Sequence, residues 1–101
     1  MKKEIKKAVE TFYTETGIDS FYLKMVVSHY LSIGEQAAAR LTPIRVEEIC
    51  KAEEEKQKEA ESNGKVYLVT PEFTNFLLTA CYKLYLLPTE VKNALIVEAL
   101  K

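Results

Sequence analysis
The chain has 101 residues, the size of one ordinary domain and too short for two. Apolar residues make up 48% and charged residues 29%, a balance that suits a packed core and excludes disorder. With 14 Lys and Arg against 15 Asp and Glu, the net charge of −1 offers nucleic acid no overall positive field.

A first helix is expected from about Lys2 to Thr16. Ile5, Ala8, Val9, Phe12 and Tyr13 form one stripe at helical spacing, and Gly17 fits a left-handed C-cap. Lys2, Lys3, Lys6 and Lys7 oppose the helix macrodipole, so the first turn is expected to fray. A second helix begins at an Asp19 or Ser20 cap. Its apolar arc, from Phe21 to Ile33, is wide enough to mark it as central. Gly34 ends or bends it, and a short helix from Glu35 to Leu41 follows.

Thr42-Pro43 reads as an N-cap and an N1 proline. Ile44, Val46, Ile49 and Cys50 give the third helix a buried face, but the stretch from Glu53 to Ala60 has almost no apolar residue. That half is expected to project into solvent, supported by the i, i+4 pairs Glu47–Lys51 and Glu54–Lys58. Glu54, Glu55, Lys58 and Glu59 are its candidate charged docking surface. Asn63-Gly64 is a turn, and Val66 to Val69 is β-prone, so one short strand or extended segment is expected near residues 65–69.

Thr70-Pro71-Glu72 repeats the helix-start pattern, and a fourth helix runs to about Leu87. Its polar residues Glu72, Asn75, Thr79 and Lys83 make one narrow line, and the rest is nearly all apolar. After Pro88 a last helix reaches Lys101, with Leu95, Ile96 and Val97 too close in sequence to share one face. These two helices carry more apolar surface than a small monomer readily covers. Self-association or another protein partner is therefore expected. The candidate interface is Tyr82, Tyr85, Leu86, Leu87, Ile96 and Leu100, the tyrosines joining apolar area to a polar tip. The fold class is mainly α: one helical domain over residues 1–101, a compact bundle of about five helices with one short strand or extended segment near residues 65–69.

Catalytic chemistry has few candidates. His29 is the lone histidine and lies on an apolar helix. Two distant cysteines and one histidine show no zinc-ligand spacing, and three glycines make no phosphate loop. No catalytic, metal or cofactor residue is assigned, and the chain is expected not to be an enzyme. No apolar run reaches the roughly 20 residues that span a bilayer, and Met1-Lys2-Lys3-Glu4-Ile5-Lys6-Lys7 lacks a signal peptide's apolar stretch. A cytoplasmic protein without membrane association is expected, with Cys50 and Cys81 as reduced core thiols.

Two stretches carry a family likeness. Ala38-Ala39-Arg40-Leu41-Thr42-Pro43-Ile44-Arg45-Val46-Glu47-Glu48-Ile49 resembles the turn region of a helix-turn-helix, with Leu41 and Val46 two positions closer than usual. Lys65-Val66-Tyr67-Leu68-Val69-Thr70-Pro71-Glu72 is similar to the wing strand before the last helix of MarR- and PadR-like winged-helix regulators, which usually have Gly where Phe73 stands. The resemblance implies a DNA-binding regulator contacting phosphate through Arg40, Arg45 and the N-terminal lysines. Charge disfavours nucleic acid: from Pro43 to Ser62 four basic residues meet seven acidic ones. The leading expectation is a small non-enzymatic regulator, adaptor or assembly factor that forms homo-oligomers, binds another protein, or does both.

Overall fold
Local capping chemistry sets most of the helix boundaries in the computed structural model, which describes residues 2–67 and 69–101. Helix α1 (Lys3–Thr16) stops at Gly17, whose φ of 69° is left-handed and whose N–H donates to the Tyr13 carbonyl. A side chain at that φ would be strained, so glycine is what lets the chain turn there. Its first turn begins at Lys3. Helix α2 (Ser20–Ile33) is capped by Asp19, whose carboxylate accepts from the Tyr22 N–H at 2.9 Å. Gly34, at φ 89°, separates α2 from the five-residue α3 (Glu35–Ala39).

The two Thr-Pro starts form as expected. Thr42 accepts from the Arg45 N–H to open α4 (Pro43–Ser62), and Thr70 accepts from the Phe73 N–H to open α5 (Pro71–Leu86). Each proline sits where its missing N–H would have had no helical partner. Helix α6 (Thr89–Ala99) follows Pro88 and ends two residues before the expected Lys101. The short helix expected after Gly34 forms over Glu35–Ala39, two residues shorter than expected, and counting it the helices among the described residues number six.

The fold is mainly α, and α2 is central to it. Leu23, Val26, Val27 and Tyr30 bury one face of α2 against α5, α3 and α6. Leu84 and Cys81 of α5 and Leu95 of α6 complete the same core at 0% exposure. Phe12 and Ile18 close it from the α1 side. Burying each such leucine contributes about 1.5–3 kcal/mol.

Of the short strand or extended segment expected near residues 65–69, no strand forms among the described residues. Among the described residues Lys65, Val66 and Tyr67 have no strand pairing and Val69 lies in a bend; Leu68 lies outside the described residues. A strand needs a partner to take its backbone hydrogen bonds. Here the segment is held by side-chain and turn contacts instead. The Lys65 N–H donates to the Ala60 carbonyl, and the Tyr67 hydroxyl donates to the Glu53 carboxylate. Val66 is left 83% exposed.

Helix α4 gives the molecule its long axis, within extents of 53 × 24 × 22 Å. Its N-terminal half packs on α5, with Val46 buried and the Cys50 thiol 3.6 Å from the Pro71 carbonyl. Beyond Glu53 it projects. Glu54, Glu55, Lys58 and Glu59 are all exposed, on the side away from the half-buried Glu53, Gln57 and Ala60. The Glu47–Lys51 pair forms at 3.4 Å, but among the described residues no ion pair joins Glu54 to Lys58. Both side chains are solvated there, and a surface pair gains too little to hold two flexible chains together.

Candidate interaction surface
The apolar excess of α5 and α6 divides into residues the core absorbs and residues it leaves out. Tyr85, Leu87 and Ile96 are half-buried and pack against the core. Tyr82 is half-buried, its ring stacked near Tyr85 at 6.4 Å between centroids. Leu86 and Leu100 remain 60% and 71% exposed. The run Leu95-Ile96-Val97 resolves in the same way: Leu95 is buried, Ile96 half-buried and Val97 exposed. The six candidate residues therefore differ in exposure, with Leu86 and Leu100 the most exposed of them.

Leu86 stands on the wall of a groove of about 520 Å³ between α1 and the C-terminal end of α5. Its apolar lining comes from Ala8 and Phe12 of α1 and from Leu86 and Leu87. Glu4, Lys7, Thr11, Glu15 and Lys83 supply polar and charged groups around them. The main packing neighbour of α1 is α6, not α5, which is why the space between α1 and α5 stays open. An apolar floor ringed by charge is the usual anatomy of a protein contact.

The other groups of chemical interest are dispersed. His29 lies in a depression with Met25, Ser28, Ser32 and Leu77, which neither cysteine lines. Cys50 shares a cavity with Glu47, Glu54 and Glu72; burial, then Glu54, Glu53 and Glu72, raise its pKa, the opposite of nucleophile activation. The polar line of α5 faces the end of α1, where Asn75, Thr79 and Lys83 border a small cavity with Glu15 and Thr16. Thr79 donates to the Asn75 side chain within that line. Among the described residues no group of three or more His, Cys, Asp or Glu side chains is placed to hold a metal.

No protein-family model matches the chain, and neither curated proteins nor solved structures gave a match. Among the described residues no helix is long and apolar enough to cross a membrane.

One arrangement had no sequence signal. Lys92 of α6 places its ammonium 3.0 Å from Glu35 and over the rings of Tyr85 and Tyr30, at 5.3 and 5.9 Å. Burial pulls its pKa down, but Glu35 and Tyr30 outweigh this and hold it above the ordinary lysine value. This cation–π clamp ties α6 to the α2–α3 junction. Its members are 57 residues apart at the ion pair, beyond any periodicity argument.

The buried thiol makes a measurable prediction. Burial pushes Cys81 up to about 12 from an ordinary 9.0. The unfolded thiol ionises first, so between pH 9 and 12 the unfolded chain binds fewer protons and stability falls as pH rises. Each unit is worth about 1.4 kcal/mol. From about pH 9 to about pH 11 the parent protein should lose roughly 2 kcal/mol more unfolding free energy than Cys81→Ala. Urea titrations followed by circular dichroism read this difference, and equal pH slopes would refute it.

Proposed function
We propose that this chain is a small non-enzymatic interaction protein, a regulator, adaptor or assembly factor, that associates with a second copy of itself. The observation that carries this reading is Leu86. It stands 60% exposed at the edge of an apolar groove, while Leu84 on the same helix is fully buried. Covering such a leucine contributes about 1.5–3 kcal/mol per copy, and a symmetric pair gains it twice. Leu100 adds a second exposed apolar side chain at the end of α6. A cytoplasmic setting fits the two unpaired thiols. Co-expression of two differently tagged copies tests the reading. Isolation through one tag should recover both, and recovery of the tagged copy alone would count against self-association.

The outward face of α4 is proposed as a steering surface for a basic partner protein. Glu54, Glu55 and Glu59 outnumber Lys58 there, and charge of one sign on a protruding element raises encounter rates with the opposite sign. Reversing the three glutamates to lysine should slow association with that partner about tenfold at low salt and much less at high salt. An unchanged on-rate in stopped-flow measurements would remove this role. The alternative reading, a winged-helix-like DNA-binding regulator, has less support. Arg45 is paired with Glu48 at 3.2 Å, and α4 presents mostly carboxylates to an incoming phosphate. A gel-shift titration without salt-dependent duplex binding would eliminate it.

A further inference from the structure
Helix α1 carries its charges the wrong way round for an isolated helix. Its first turns hold Lys3, Lys6 and Lys7 against Glu4, and its later turns hold Glu10 and Glu15 with no basic residue. The macrodipole is positive at the N-terminus and negative at the C-terminus, so both groups oppose it. Among the described residues, no ion pair involves Lys3, Lys6, Lys7, Glu10 or Glu15.

The same helix lines the apolar groove through Lys7, Ala8, Thr11, Phe12 and Glu15, which recur at helical spacing along one side. Thr11 is the midpoint of that stripe, with Lys7 four residues before it and Glu15 four after. A two-fold axis passing at Thr11 would lay an identical helix antiparallel on this one. Lys7 of each copy then meets Glu15 of the other, and the basic end of each helix meets the other's acidic end. Both dipole mismatches are relieved by the same operation. The match is self-complementary, as an isologous interface requires.

We infer that the α1–α5 groove is a homodimer interface in which a second copy sets its α1 antiparallel along this one, forming the Lys7–Glu15 pair twice and covering Leu86. The inference rests on the reading of the chain as self-associating and adds the face and the symmetry. A basic or an acidic peptide would satisfy one end of α1 and aggravate the other, whereas a reversed copy satisfies both.

Sedimentation equilibrium of the full chain tests this with Lys7→Glu, Glu15→Lys and the double variant. Each single substitution sets like charges together at two symmetric places, so its dissociation constant should rise about tenfold at low salt. The double variant restores opposite charges and should return to within about twofold of the parent. Each single change also improves the dipole match of α1 in the free chain, so a weaker dimer cannot be put down to a less stable helix. Dimers insensitive to all three variants would place association on another face; the inference would fall and the reading of self-association would stand. Weakened single variants without rescue by the double would overturn the antiparallel pairing. A parent chain that stays monomeric would remove both.

Discussion

Leu86→Glu is expected to turn the associated protein into a monomer while leaving its unfolding free energy within about 1 kcal/mol of the parent. Leu86 is the last residue of α5 and is 60% exposed in the single chain, so the fold has little to lose there. In a symmetric pair the same position is covered twice. Each copy forfeits about 1.5–3 kcal/mol of apolar burial, and each new carboxylate must be desolvated without a partner. Together these raise the dissociation constant on the order of a thousandfold. Sedimentation reads the association, and thermal denaturation at low concentration reads the fold. Leu86→Glu protein that still dimerises with the parent's affinity would show that Leu86 lies outside the contact.

Leu84→Ala, two positions earlier, should do the reverse. Leu84 is 0% exposed and sits in one core with Val26 and Val27 of α2 and Leu95 of α6. Truncation removes apolar burial and leaves a cavity that a close-packed interior fills only in part, at a cost of about 3 kcal/mol. For a domain of this size that lowers Tm by roughly 15 °C. Leu84→Met keeps the volume and should cost less than about 1.5 kcal/mol. If Leu84→Ala melted with the parent, the assignment of α5 to the core would be wrong. The two leucines thus separate folding from association along one helix.

The sequence made the helices legible where their determinants are local. Asp19, Thr42 and Thr70 cap through side chains that accept from N–H groups three residues on, and Gly17 turns the chain on its own backbone. The segment after Asn63 misled because β-propensity reports only a fit to a pleated surface. Val66 has no sheet to join, and Tyr67 bonds instead to Glu53 across 14 positions. The apolar surplus of α6 was overcounted for a related reason. Periodicity cannot show that the core seats Ile96 beside Leu95, so of that run only Val97 is left exposed, followed by Leu100. The Lys92 clamp and the α1–α5 groove were not legible at all, since both depend on which helices pack side by side. In the sequence only the lysines at the start of α1 stand out against the macrodipole; Glu15 at the other end gains its meaning from the groove it lines.

Sedimentation equilibrium of the unmodified chain, from about 1 to about 100 μM, tests self-association most directly. The expected result is a reversible approach to twice the 11.5 kDa chain mass within that range. A mass of 11.5 kDa at every concentration would contradict it.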